Sequence, residues 1–226
     1  MDASGKRVAV VVNGRAGALL ADGGDEGSMR RLFTEAGLEP EFVPVEAGSL
    51  PERIEQARRS GAETVVVAGG DGTVACAASV LAGSGVVLGV LPFGTMNLLA
   101  KDLGIPVDDV GAALSLIAGG AVREIDVGAV NEQVFLCASM LGLPARLGRY
   151  REAERERGGG WLGWVRFVFN AGRASLRYVA PRLGLEIEGR VLALRTRSLT
   201  IAVNALDDAS GRLFGRSRLD AGELVA

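Results

Sequence analysis

Val65-Val66-Val67-Ala68-Gly69-Gly70-Asp71-Gly72-Thr73 is a β-branched run that breaks into glycines and opens at once onto Val74–Leu81, where apolar residues recur at helical spacing. A strand that turns directly into a helix is half of a βαβ unit, and an unbroken apolar strand suits a parallel sheet covered on both faces. The three glycines let backbone approach a ligand closely. Free amides at the following helix N-terminus, backed by the helix dipole, form a seat for phosphate. Asp71 adds an oxygen donor suited to hydrated Mg2+. A tight turn with Asp71 as a helix cap is the structural alternative.

Outward from this turn the pattern repeats. Arg7–Val12, Glu41–Val45, Thr64–Ala68 and Val86–Leu91 are strand candidates, with helices expected over Met29–Ala36, Pro51–Arg59, Met96–Leu103 and Val107–Ile117. Residues 1–122 are therefore expected to form an α/β domain on a parallel sheet. From Arg123 the pattern changes. Glu124–Val130 and Gln133–Leu141 read as a hairpin turning at Asn131-Glu132; Leu183–Glu188, Val191–Leu194 and Ser198–Asn204 read as further strands. Residues 123–226 are expected to form an antiparallel, sandwich-like second domain. The chain stops in the apolar run Gly222-Glu223-Leu224-Val225-Ala226, so that domain is expected to be C-terminally incomplete.

Composition narrows the chemistry. With 48% hydrophobic and 23% charged residues among 226, the chain can bury a core, and its 33 glycines exceed the roughly 7% average. A net charge of −2 argues against nucleic acid as the main partner. Cys76 and Cys137 lack metal-ligand spacing and suit a reduced, cytoplasmic chain. No stretch reaches the roughly 18 apolar residues of a membrane span. The absence of histidine excludes Ser-His-Asp, Cys-His and His-metal chemistry, leaving carboxylates, amides, cations and an oxygen-bound metal.

Two more glycine turns follow strands. Pro92-Phe93-Gly94-Thr95-Met96-Asn97 offers a hydroxyl at Thr95 and an amide at Asn97, for a ligand or for capping the next helix; Asn13-Gly14-Arg15-Ala16-Gly17 offers small residues and a charge. Gly70 to Ala75 also fits G-x-G-x-x-G/A, but no Asp or Glu occurs from Gly72 through Lys101, where a dinucleotide fold needs its ribose-binding acid. A P-loop ending in Gly-Lys-Ser/Thr is absent too.

Taken together, Asn13–Gly17, Gly69–Thr73, Pro92–Asn97 and Arg123-Glu124-Ile125-Asp126-Val127-Gly128 resemble, in order and spacing, the diacylglycerol kinase catalytic-domain family, and especially its soluble bacterial lipid kinases. NAD kinases and 6-phosphofructokinases share the Gly-Gly-Asp-Gly-Thr loop alone. The resemblance implies an α/β domain, a β-sandwich domain and ATP between them. Asn13, Gly14, Arg15, Ala16, Gly17, Gly69, Gly70, Asp71, Gly72, Thr73, Gly94, Thr95 and Asn97 would bind nucleotide, and Asp71 and Asp126 would meet Mg2+ through water. It implies a lipid substrate at a membrane surface, a cytoplasmic enzyme peripheral to the inner membrane, and compatibility with a homodimer. Asp71→Ala is expected to stop phosphoryl transfer and spare the fold. The chain departs from the family at Leu98, where many members have Asp, and at Ala221, leaving Asp220 and Glu223 as donors of a structural Mg2+ turn. The family's general base, in an Asp-Gly-Glu motif, is absent from this chain, so the expectation is nucleotide binding with poor turnover. An NAD kinase and a nucleotide-binding fragment without turnover are the alternatives.

Arg146–Arg182 combines nine arginines with Trp161, Trp164, Phe167 and Phe169 and is expected to face a membrane. Trp161–Val179 as a core helix of the second domain is the alternative.

Overall fold

The computed structural model describes residues 7–13, 26–156, 160–207 and 214–226. Strands β1 (Val8–Val12), β2 (Glu41–Phe42), β3 (Thr64–Gly69) and β4 (Val87–Pro92) form a parallel sheet in the order β2-β1-β3-β4. Helices α1 (Glu26–Glu35), α2 (Leu50–Arg59), α3 (Asp71–Leu81), α4 (Leu98–Asp102) and α5 (Val110–Ala118) accompany it. Side chains alternate across the sheet, as strand geometry demands. Ala9, Val11, Val65 and Val67 share one core with Ile54, Ala57, Val74, Ala77, Leu81 and Leu99, from α2, α3 and α4. Val8, Val10, Val66 and Ala68 share the other with Met29, Phe33, Ala113 and Leu114, from α1 and α5. Burial on both faces is why β1 and β3 read as continuous apolar runs.

Several boundaries differ from the sequence expectation for local reasons. β2 stops at Phe42 instead of Val45, because Pro44 lacks an N–H and leads into a 3-10 turn at Val45–Ala47. α4 starts at Leu98 because Asn97 is left-handed, with φ 47°. α5 starts at Val110, where the Asp109 side chain accepts the Ala112 amide at 2.9 Å. Asp109→Ala should lose this cap and about 1 kcal/mol of stability, read from the denaturant midpoint.

Beyond α5, β5 (Gly128–Val130) and β6 (Gln133–Phe135) make the expected hairpin, with Asn131 and Glu132 both at positive φ. Only the last three residues of the expected Glu124–Val130 strand pair in it; the Asp126 amide donates instead to the Leu219 carbonyl at 2.7 Å. Gln133–Leu141 is likewise two strands. β6 ends at Phe135, and β7 (Ala138–Gly142) leads through α6 (Leu143–Glu156) and α7 (Gly160–Arg177) to the hairpin of β8 (Arg182–Ile187) and β9 (Arg190–Arg195). β10 (Ser198–Val203) then pairs antiparallel with β7, and β11 (Leu224–Val225) joins it in the order β11-β10-β7. Among the described residues these later strands form sheets of two, two and three strands.

Two units result: Met1–Cys137 with Val203–Leu224, and Ala138–Ala202 with Val225–Ala226. A single cut between residues 122 and 123 does not follow them, because the C-terminal segment returns to the first unit. Arg216, 2% exposed, pairs with Asp102 at 2.9 Å and donates to the carbonyls of Leu136 and Val203 at 2.6 and 3.1 Å. Among the described residues no helix is long and apolar enough to cross a membrane.

Candidate functional site

In the order β2-β1-β3-β4 the chain leaves β1 toward one neighbour and later returns to its other side. The connections after β1 and β3 therefore diverge, and the carboxyl ends of such strands are where open α/β sheets take ligands. Asn13 follows β1 there, and Gly69-Gly70-Asp71 closes β3 and opens α3. The Asn13 amide donates to the Ala68 carbonyl at 3.0 Å, and Asn13 Nδ2 donates to Thr73 Oγ1 at 2.8 Å. Gly14, Arg15, Ala16 and Gly17 lie outside the described residues.

The glycine turns after β3 and β4 touch backbone to backbone. A Cβ on Gly70 would lie 3.0 Å from Gly94 Cα, and one on Gly94 2.6 Å from Gly70 Cα. Gly70 has φ −93°, open to any residue, so close packing and not left-handed backbone accounts for it. A Cβ on Gly69 would strike the Thr73 side chain. Gly72 differs. Nothing lies within 4 Å of a Cβ built there, and its φ is not left-handed, so no neighbour and no strain within the described residues calls for glycine. The Thr73 and Val74 amides bond the Gly70 carbonyl at 2.9 and 3.1 Å, whereas the Asp71 and Gly72 amides have no acceptor among the described residues. Those are the orphan donors of a helix start.

Asp71 joins the turns. Its Oδ1 accepts the Leu98 amide at 2.6 Å and its Oδ2 accepts the Asn97 amide at 2.9 Å, capping α4 from another loop. The expectation that Asp71 spares the fold is therefore corrected: the carboxylate holds the second turn against the first. Asn97, 7% exposed, is engaged within its own turn, accepting the Gly94 amide at 2.9 Å and donating to the Gly94 carbonyl at 2.7 Å. Thr95 is exposed and makes no hydrogen bond among the described residues.

Asp126 belongs to a different cluster. Its Oδ2 accepts the Gly222 amide at 2.7 Å, which ties it to the turn holding Asp220 and Glu223. Asp220 is exposed, 3.8 Å from Arg218, while the Glu223 carbonyl accepts the Asn204 amide at 2.9 Å. Among the described residues no three Asp, Glu, Cys or His side chains gather as a metal held wholly by protein would need.

Two residues escaped the sequence reading. Arg53 is 4% exposed, and its guanidinium donates to the carbonyls of Val12 at 3.0 Å and Val43 at 2.9 Å, clamping the chain directly before Asn13. Burial lowers its pKa, with Glu46 opposing. In Glu52-Arg53-Ile54-Glu55 it looks like any solvated helix residue, so no sequence signal marked it. Arg216, already described, also lies 3.4 Å from Cys137 Sγ. Burial pushes that thiol up to about 11, against the pull of Arg216. Folding thus favours the protonated thiol. The associated stability should be whole below pH 9 and fall as pH rises toward about 11, with Cys137→Ala flattening the profile of denaturant midpoint against pH.

Comparison with known proteins agrees with this fold. The family profile described as Diacylglycerol kinase catalytic domain matches residues 7–130, more than half of the chain. A Synechocystis sp. protein, sll0036, is 28% identical over 179 residues, covering 77% of this chain and 40% of that relative. Probable lipid kinase YegS of Salmonella newport is 41% identical over 95 residues, covering 40% of this chain and 31% of its own length. A diacylglycerol kinase from Bacillus anthracis str. Sterne superposes with a TM-score of 0.59 at 21% identity, over 88% of this chain and 64% of that one, a likeness of fold. The chain thus spans less than two thirds of the length of these relatives. With its parallel sheet, its Gly-Gly-Asp-Gly-Thr turn at the carboxyl end of β3 and the profile match from β1 through β5, the chain belongs to the diacylglycerol kinase catalytic-domain family.

Proposed function

We propose that this chain is the nucleotide-binding part, with some of the lipid-binding part, of an ATP-dependent lipid kinase that moves the γ-phosphate to a hydroxyl of a diacylglycerol-like lipid. The observation that carries it is the opening of α3. Gly72 leaves open space where a side chain would stand, beside the orphan amides of Asp71 and Gly72. Such a cradle admits a phosphate to backbone distance, and the helix dipole favours its charge. Kinship to a named lipid kinase supports the acceptor class.

In this proposal the unit of Met1–Cys137 with Val203–Leu224 provides the nucleotide site and the unit of Ala138–Ala202 part of a sandwich that takes lipid, at the cytoplasmic face of a membrane. The amides of Asp71 and Gly72 receive phosphate oxygens, the exposed Thr95 hydroxyl is free to donate, Arg53 holds the end of β1 at Val12, and Asn13 is tied to Thr73. Mg2+, when bound, would neutralise charge on the phosphates. The donor set suits it only through water, because both Asp71 oxygens already accept amides and Asp126 sits with Gly222. Phosphoryl transfer depends mainly on positioning and charge neutralisation, which this histidine-free set can supply.

Gly72→Val tests the cradle. Its Cβ meets nothing among the described residues, so stability should stay within about 0.5 kcal/mol by circular dichroism melts. Calorimetry should show ATP affinity falling by about tenfold or more, the equivalent of about 1.4 kcal/mol. Unchanged ATP affinity would remove the proposal's basis. Incubation of a lipid extract with labelled ATP, beside a reaction offering NAD, then separates lipid kinase from NAD kinase.

A further inference from the structure

The inner face of α2 turns Ile54 and Ala57 into the core, yet the same face buries a cation one turn earlier, at Arg53. In a parallel βαβ unit the helix runs back against its strands, so the first turn of α2 lies at their carboxyl ends. There Arg53 Nη1 donates to the Val12 carbonyl at 3.0 Å and Nη2 to the Val43 carbonyl at 2.9 Å. Its Nε is buried as well and has no partner among the described residues.

The charge of Arg53 is uncompensated. Glu52 is closed in a capping box with Ser49, Glu55 is held by Arg58 and Arg59, and Arg53 forms no ion pair among the described residues. Glu46 acts on it from an exposed position without pairing. Burial disfavours the charged form, and two strand-end carbonyls require donors but no net charge. An anion arriving at this edge would supply the missing counter-charge.

The clamp reaches the phosphate turn in two steps. Val12 leads into Asn13, whose amide donates to the Ala68 carbonyl at 3.0 Å and whose Nδ2 donates to Thr73 Oγ1 at 2.8 Å. Thr73 stands in the first turn of α3, with the orphan amides of Asp71 and Gly72. The ends of β2, β1 and β3 are thereby joined along one edge, which carries both a buried cation and the positive end of a helix dipole.

We infer that Arg53 is a positioning residue of the phosphate site, fixing Val12 and through it Asn13 against the start of α3, and that its unpaired charge makes the site favour ligands with more phosphates. This role rests on the nucleotide-binding proposal and adds to it a source of charge outside the glycine turns.

Calorimetry at low ionic strength with ATP, ADP, adenosine and inorganic tripolyphosphate reads the charge separately from the fold. Arg53→Gln keeps a donor for one carbonyl and removes the charge. ATP affinity should fall about tenfold and ADP affinity about threefold, with adenosine unchanged. Arg53→Lys also reaches only one carbonyl but keeps the charge; it should restore most of the ATP affinity while its denaturant midpoint matches that of Arg53→Gln. Glu46→Gln leaves the clamp intact at an exposed position, so ATP affinity should rise about twofold and added salt should erase the gain. Equal losses in the glutamine and lysine variants, or a loss as large for adenosine as for ATP, would reduce Arg53 to a structural clamp and overturn the inference. So would a Glu46→Gln chain that binds ATP no more tightly than wild type. Arg53-dependent binding of tripolyphosphate without ATP binding would defeat only the kinase reading, whereas ATP binding indifferent to Arg53 would defeat only this role. A wild-type chain that binds neither anion would overturn both.

Discussion

Arg216→Ala should lower the thermal midpoint by roughly 6–20 °C, the largest stability effect expected of any single substitution in this chain. The substitution strands Asp102 without its cation and removes the donors to the Leu136 and Val203 carbonyls. Breaking one side of a buried ion pair costs about 3–5 kcal/mol, because the remaining buried charge has lost its counter-ion. A domain of this size loses about 2–4 °C per kcal/mol. Arg216→Met/Asp102→Leu should recover much of the loss, since it leaves no buried charge, although the two carbonyls stay unpaired. The comparison by calorimetric melting is decisive: an Arg216→Ala midpoint equal to wild type would mean that water reaches the pair.

Asp71→Ala should have the largest effect on function. Transfer of labelled phosphate should fall about 100-fold or more, the scale seen when a preorganised electrostatic group is removed. The fold should weaken as well, by about 1–2 kcal/mol, because the Asn97 and Leu98 amides lose their acceptors at the start of α4. Asp71→Asn separates the two roles. Its amide oxygen can still accept one of these N–H groups while the charge is gone, so stability should largely return and transfer should not. If Asp71→Asn transfers phosphate as wild type does, the carboxylate is a cap and nothing more.

The same residue shows how far sequence reading reaches. The strand-glycine-helix order around Gly69–Thr73 was legible because a buried strand and a helix start each have local signatures. The four parallel strands and the helices between them followed from the same kind of signal, with a strand end displaced at Pro44 and helix starts displaced at Asn97 and Asp109. Asp71 as a cap was an open alternative, but its partners lie 26 and 27 residues away, in the next turn. Gly70 and Gly94 were both marked as glycines near phosphate, yet each packs against the backbone of the other. In the second unit, composition identified aromatic and basic residues between 146 and 182, and only burial separated the inward Phe167 from the outward Trp161, Trp164 and Phe169.

By itself, then, the sequence determined the parallel α/β sheet, the later change to antiparallel pairing, the family and the positions of the glycine turns. The sheet, the change of pairing and the turns follow from periodicity and turn chemistry within a few residues, and the family from the resemblance of four motifs to a known set. Tertiary structure decided which glycines face a neighbour and which faces open space among the described residues, that Arg53 clamps the end of β1, and that the C-terminal segment returns across 114 residues to set Arg216 on Asp102. The physical reason is that close packing and buried charge pairing join residues remote in sequence, and a local pattern carries no record of which remote partner will exclude water from it.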